Sequence, residues 1–405
     1  MTNRLYYHDP TLLEFTGTVT QAHSGERPAI ELDRSAFYPT SGGQRHDTGW
    51  IEAEGGQRLR VSEVAEEGDR VIHYIEADAL KVPPGTKVHA MIDAARRRDH
   101  MQQHSGQHVL SAAFIELFNM PTVSFHMGDD SCTIDLQTPG LTDAQMEQAE
   151  RRANEIVMND VPVGIRFASL EEAKTLGLRK IPPDVGDELR LIDIRGVDLT
   201  ACGGTHVART GEIGAILLRK FEKVKQGMRV EFVCGERAVR TARRDFTTLT
   251  AAAALFSAQI YDVPAQITKL QEENKAVQKQ EKRTQEEVAE LMAAQLVTEA
   301  QQVGSVKLVR RLFPDRDVAF VKLLAQKLTT RPDTLALLAS GAGQPGVVFA
   351  QSAGGPFNMG ALLKDALTQV GGRGGGSKDL AQGGVPDAAS AEKVLRAAEE
   401  RVGRS

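Results

Sequence analysis

Cysteine is scarce in this chain: three in 405 residues, Cys132, Cys202 and Cys234. So sparse and odd a set argues against a disulfide scaffold, and any special cysteine is expected to be a metal ligand, a nucleophile or a small buried residue. Long apolar runs are also missing. No stretch approaches the roughly 20 residues that a membrane-spanning helix needs, so no membrane partner is expected. The opening MTNRLYYHDPTLLEF has no basic segment followed by an apolar one, so no signal peptide is visible and a cytoplasmic location is expected. An excess of positive charge is lacking as well: the formal net charge is −5, which is not that of a basic nucleic-acid binder. Local clusters matter more than the total. Arg96, Arg97 and Arg98 run together, Arg219, Lys220, Lys223, Lys225 and Arg229 crowd an expected hairpin, and Arg237, Arg240, Arg243 and Arg244 follow. The plain alternative for each is solvated surface charge.

What is present reads as an α+β multidomain protein. At roughly 100–200 residues per domain, the length predicts two to four domains. Residues 1–92 read as short strands broken by turns, at Gly17–Gln21, Ala29–Leu32, Arg58–Val64, Arg70–Ile75 and Lys87–Ile92, which predicts a small β-barrel or sandwich. Residues 93–245 read as an α/β domain. A helix from Ala94 to about Phe118 carries an apolar stripe of Val109, Leu110, Ala113, Phe114 and Leu117, which predicts one buried face. Ser131–Leu136, a helix over Thr142–Met158, and strands at Leu189–Ile194, Gly214–Phe221 and Met228–Cys234 follow. Residues 246–304 hold a long helix. Its heptad seam of Val263, Ile267, Leu270, Asn274, Val277, Glu281, Thr284, Val288 and Leu291 fits either a homodimer contact or an intramolecular hairpin. A C-terminal α/β unit over 305–405 is expected from strands at Lys307–Arg311, Thr334–Ala339 and Val347–Gln351 and helices at Asp317–Leu328, Met359–Val370 and Ala391–Val402.

Two pairs of soft ligands carry the sharpest chemistry. His104 and His108 sit four apart in HSGQH, on one face of the expected helix. Cys202 and His206 sit four apart in CGGTH, where Gly203 and Gly204 allow a tight loop. One cysteine and three histidines suit zinc, whereas magnesium and calcium prefer oxygen. Either pair alone is commonly two unrelated side chains. The residue after His104 is Ser105 rather than glutamate, so no metalloprotease general base is in place.

HSGQHVLSAAF, SFHMGDDSCTIDL, DLTACGGTHVARTGEIG and GMRVEFVCGERA resemble the editing domain of alanyl-tRNA synthetase and its free-standing relatives, the AlaX family. AFYPTSGGQRHDTG resembles their N-terminal barrel, and GGRGGGSKDLAQGG the glycine-rich motif of their C-terminal DHH-associated domain. In the family's order these cover nearly the whole chain, which is most similar to the long form of AlaX. The resemblance implies zinc on His104, His108, Cys202 and His206, and hydrolysis of the ester between serine or glycine and the 3′ end of alanine tRNA. The class II aminoacylation domain is expected to be absent, since residues 1–92 are too few and too turn-rich for it. The chain departs from the synthetase form at Val123-Ser124-Phe125-His126, where the synthetase has a glutamine; AlaX proteins look similar here.

Expected substrate contacts are Thr40, Gly42, Gly43, Gln44, Ser124 and His126, with Thr40 the candidate partner of the serine hydroxyl. Expected tRNA contacts are Gly371, Gly372, Arg373, Gly374, Gly375, Gly376 and Lys378; the plain alternative for that run is a flexible linker. Zinc could activate water, polarise the ester, or only hold the pocket, because four protein ligands already fill a tetrahedral site. The other function class in view is a non-enzymatic tRNA-binding protein with a structural zinc. A phosphoesterase of the DHH type would need clustered aspartates, and Arg98-Asp99-His100 supplies one.

Overall fold

The computed structural model describes residues 1–76, 82–176, 178 and 188–404, and the chain divides into two compact units, Met1–Ala251 and Ala252–Ser405.

The first unit opens with a closed barrel of β1 (Glu14–His23), β2 (Ala29–Leu32), β3 (Gly49–Ala53), β4 (Arg58–Glu67), β5 (Arg70–Glu76) and β6 (Lys87–Ile92). The order around it is β1-β2-β5-β4-β3-β6, and each pairing is antiparallel. Alternation fills its core, as with Val88, Ala90 and Ile92 on β6. Strand β3 escaped the sequence reading because its inward residues are Gly49, Ile51 and Ala53, two of them too small to register as an apolar alternation. Gly49 is obligatory there: a Cβ would stand 2.1 Å from the Met91 carbonyl oxygen of the neighbouring strand.

Asp93 caps α1 (Ala94–Phe118), accepting hydrogen bonds from the amides of Ala95 and Arg96, and Asn119 ends it in the left-handed conformation at φ 53°. The helix has the expected bounds but not a single buried face. Every residue from Gln103 to Phe114 is buried. Barrel loops, α2 (Asp143–Met158) and the sheet described next all press on these turns, so the amphipathic reading is corrected to that of a helix whose middle turns are buried on every face, while Leu117 of the expected stripe is exposed.

A four-stranded antiparallel sheet packs on α1, in the order β12 (Ile216–Val224), β13 (Gly227–Cys234), β8 (Cys132–Leu136), β7 (Thr122–Met127). A second sheet joins β9 (Val163–Ser169), β10 (Glu188–Ile194) and β11 (Asp198–Ala201), also antiparallel. Neither of these two sheets contains a parallel pair, so this part is α+β rather than alternating α/β. Helix α3 (Gly235–Leu255) runs unbroken through residue 245.

The second unit contains α4 (Val263–Thr298), a single helix with Pro264 in its first turn. Most of the heptad seam is not its packed face, although Val263 is buried and Val288 is partly buried in a core cluster. Ile267, Leu270, Val277 and Leu291 are exposed, whereas Ala289, Ala293 and Leu296 are buried against α5 (Val318–Thr329) and the adjoining sheet. That sheet runs β14 (Gln301–Val303), β15 (Val306–Phe313), β16 (Thr334–Ser340), β17 (Gly346–Gln351), β19 (Leu380–Gly384), β18 (Arg373–Gly376). Only β15 and β16 are parallel. Leu335, Leu337 and Ala339 pack beneath α6 (Met359–Thr368) and α7 (Ala388–Val402), and Ala336 and Leu338 beneath α4 and α5. The glycine run is thus a hairpin inside a three-layer sandwich, not a linker.

One buried pair ties barrel to helix. Arg97 of α1 and Asp47 of the barrel are both fully buried, with Nε 3.2 and 3.1 Å from the two carboxylate oxygens. Arg97 also donates to the carbonyls of Pro10 and Ala36 at 2.6 and 2.5 Å, and Asp47 accepts from the Tyr38 amide at 2.7 Å. The Arg96–Arg98 cluster is corrected accordingly, since its middle member cannot meet a phosphate. Breaking a buried pair by removing one partner costs about 3–5 kcal/mol. Arg97→Met is expected to destabilise the first unit by that amount in urea unfolding followed at the single tryptophan, Trp50 of β3. An unchanged midpoint would show that the pair does not hold the barrel in place.

Candidate metal centre

His104 and His108 lie one turn apart on α1, and the loop after β11 carries Cys202 and His206 to them. The four ligand atoms all lie within 4.8 Å of one another. Cys202 Sγ is 3.5 Å from His104 Nε2 and 3.3 Å from His206 Nε2. With zinc–ligand bonds of about 2.0–2.3 Å, tetrahedral ligand atoms stand about 3.3–3.8 Å apart. The set therefore fits one ion of that kind, and thiolate with imidazole is a zinc donor set.

Each imidazole turns its Nδ1 toward an outer partner. His104 Nδ1 is 2.8 Å from Gln44 Oε1, His206 Nδ1 is 3.2 Å from Ser105 Oγ, and His108 Nδ1 is 3.5 Å from the Asp198 carboxylate. Such partners orient metal-binding histidines and raise their basicity. Phe125 stacks on His104, with ring centroids 5.3 Å apart and planes 22° from parallel.

Of the two loop glycines, only Gly204 is sterically required. A Cβ there would stand 2.2 Å from His104 Cε1, while at Gly203 the nearest atom is 3.5 Å away. The buried Arg190 of β10 staples the loop from behind: Nη1 donates to the carbonyls of Cys202 and Gly204 at 2.6 and 3.0 Å, and Nε to that of Tyr7 at 2.8 Å. Sequence reasoning missed Arg190, because one arginine in LRLIDI looks like any outward-facing strand residue.

Burial alone would raise the Cys202 thiol, but His104 and His206 beside it overcome this and bring it well below its ordinary range. Burial pushes His206 down to about 3. Burial opposes a charge on His108 too, yet Asp198 and Cys202 raise it to about 9.

A cleft of about 500 Å³ opens beside the cluster, with His104, His108 and Cys202 in its wall. Gly42, Gln107, Thr122, Ser124, Phe125 and Gln137 are among its other lining residues. Gln107, which sequence analysis did not single out, is held by Ser111, its Nε2 donating at 2.8 Å; Ser111 in turn pairs with Thr122 at 2.6 Å. Of the expected substrate contacts, Gly42 and Ser124 are in the wall. Gln44 is corrected: it is fully buried, with both ends of its amide engaged. Gly43 packs on Phe125, where a Cβ would stand 2.7 Å from the carbonyl oxygen. The Thr40 hydroxyl is held by His46, 2.9 Å from Nδ1 and 3.2 Å from the backbone nitrogen. Thr40 and His126 are exposed and lie outside the cleft wall.

In the second unit Arg373 and Lys378 are exposed on the glycine hairpin. Gly374 is required there, since a Cβ would stand 2.5 Å from Gly383 Cα. Arg373 also lines a cleft of about 530 Å³ with Asp317, Gln344 and Gly383. The other basic clusters of the first unit are partly neutralised: Lys220 pairs with Glu231, Arg229 with Asp135, and Arg237 with Asp99.

Three family models match the chain: "tRNA synthetases class II (A)" over residues 5–96, "Threonyl and Alanyl tRNA synthetase second additional domain" over 189–230, and "DHHA1 domain" over 317–404. The first falls on the barrel and the third on most of the second unit. The alanyl-tRNA editing protein AlaX-L of Pyrococcus horikoshii is 32% identical over 99% of this chain and 98% of its own length. The alanine–tRNA ligase of Archaeoglobus fulgidus is 31% identical over 97% of this chain, which spans 43% of that enzyme. That of Methanothrix thermoacetophila is 32% identical over 95%, again 43% of the enzyme. No helix among the described residues is long and apolar enough to cross a membrane.

Gly204→Ala is expected to force His104 out of the cluster. Metal content of the purified variant, measured by elemental analysis, should fall to that of His104→Ala; full retention would mean that the loop does not need the close approach.

Proposed function

From the membership of this chain in the long-form AlaX family of alanyl-tRNA editing proteins, we propose that it hydrolyses the ester joining serine or glycine to the 3′ end of alanine tRNA, with zinc at the four-residue centre. The observation that carries this reading is the placement of His104, His108 and Cys202 in the wall of an open cleft rather than in a sealed core. Bound zinc would supply Lewis acidity toward the ester carbonyl, or a water with a pKa lowered to about 7. The residues of the chain do the rest. Residues 93–245 form the editing domain, closed on one side by the barrel of 1–92 through Gly42. The glycine hairpin of 305–405, following the helical segment 246–304, offers Arg373, Lys378 and exposed backbone to the body of the tRNA.

Choosing serine over alanine requires polar groups that alanine would leave unpaired. Gln107, Thr122 and Ser124 form such a wall, with Gln107 and Thr122 already ordered by Ser111. They take the role first assigned to Thr40, whose hydroxyl is occupied by His46.

A second reading, a tRNA-binding protein with a structural zinc, is favoured by the ligand count, because four protein ligands leave a tetrahedral ion no open position. Deacylation of seryl-, glycyl- and alanyl-tRNA separates the two. Turnover of the first two, sparing alanyl-tRNA and lost on chelation, is expected. Gln107→Leu should slow seryl-tRNA hydrolysis about tenfold, the worth of one hydrogen bond, and Thr40→Val should leave it unchanged. Tight tRNA binding without turnover would establish the structural reading instead.

A further inference from the structure

The barrel does more than wall the cleft. Its PTSGGQ turn sends Gln44 into the metal cluster, where the hydrogen bonds leave one arrangement open. A backbone amide can only donate, and the Thr205 amide stands 3.0 Å from Gln44 Oε1, so the oxygen end of this side chain is identified without reference to its assigned orientation. The opposite end agrees: Nε2 donates to Thr205 Oγ1 at 2.8 Å. The same Oε1 is 2.8 Å from His104 Nδ1. An amide oxygen only accepts, so Nδ1 must carry the hydrogen, and the lone pair of His104 is confined to Nε2, which faces Cys202 Sγ at 3.5 Å. Two further contacts hold the ring in that pose: Phe125 stacks on its face, and Gly204 fits against its edge, where a Cβ would also come within 3.0 Å of Gln44 Oε1.

We propose that Gln44 is a positioning residue that holds His104 as its Nδ1–H tautomer, and that the barrel turn is thereby an outer-shell part of the metal centre. This rests on the metal reading of the four-residue cluster, not on the deacylase activity. It also couples the two halves of the first unit. Anything that lifts the barrel loop from α1 withdraws the acceptor from His104, and an ion held by His104 in turn favours the docked loop. Outer-shell partners of metal-bound histidines typically change affinity about 10–100-fold.

The test is metal affinity of the full chain, measured with Zn²⁺ and Co²⁺ against a competing chromogenic chelator, together with the visible spectrum of the cobalt form. Gln44→Met keeps the volume and removes the acceptor; it should bind both ions about 10–100-fold more weakly and shift the cobalt bands. Gln44→Glu keeps an acceptor for His104 Nδ1 and for the Thr205 amide and should bind like the wild type. Trp50 fluorescence of the metal-free proteins reports whether the barrel is intact. If Gln44→Met does not fold, Gln44→Glu decides: retained affinity supports the role and a tenfold loss overturns it. Wild-type affinity in Gln44→Met overturns the positioning role alone, whereas a wild-type protein that takes up neither ion overturns the metal reading with it.

Discussion

The Arg97–Asp47 pair fixes the relation between the barrel and α1, and the site depends on that relation. Both residues are fully buried, and the loop they anchor runs from Ala36 to Asp47. That loop contains Gly42 in the cleft wall, Gly43 against Phe125, and Gln44 against His104. Displacing such a loop would strand a guanidinium in an apolar interior, which is costly. The clamp is therefore stiff where the chemistry needs it to be.

Helix α1 explains why polar residues crowd so deep a core. Its middle turns are buried, so most of their polar groups are paired within the protein. Gln103 meets both the amide and the carbonyl of Cys234, Ser105 meets His206 and the Val207 amide, and Gln107 meets Ser111. Of the three histidines on the helix, His104 and His108 point to the CGGTH loop. A ligand set made from one helix and one loop is rigid on the helix side; Arg190 and the close fit of Gly204 supply the rigidity of the other side.

The second unit solves a different problem. Its glycines serve strand pairing and helix contact: Gly374 and Gly383 lie nearly in contact across the hairpin, and Leu367 presses on both. An edge strand with almost no side chains leaves backbone groups and Arg373 exposed.

Much was legible in the sequence, and for local reasons. Helix α1, strands β2 and β6, and the His-x-x-x-His and Cys-x-x-x-His pairs follow from periodicity, turn signals and ligand type over a few residues, and the motifs carried the family. Tertiary structure alone decided the rest. Burial of the middle turns of α1 on every face, the inward turn of Gln44 and Arg97, the exclusion of Thr40 from the cleft and the inclusion of Gln107 all depend on elements distant in the chain. The largely exposed heptad seam makes the same point: its spacing is a property of the sequence, but the face that α4 buries was set by the sheet it meets. Spacing determines which side chains share a face; only packing determines what that face meets.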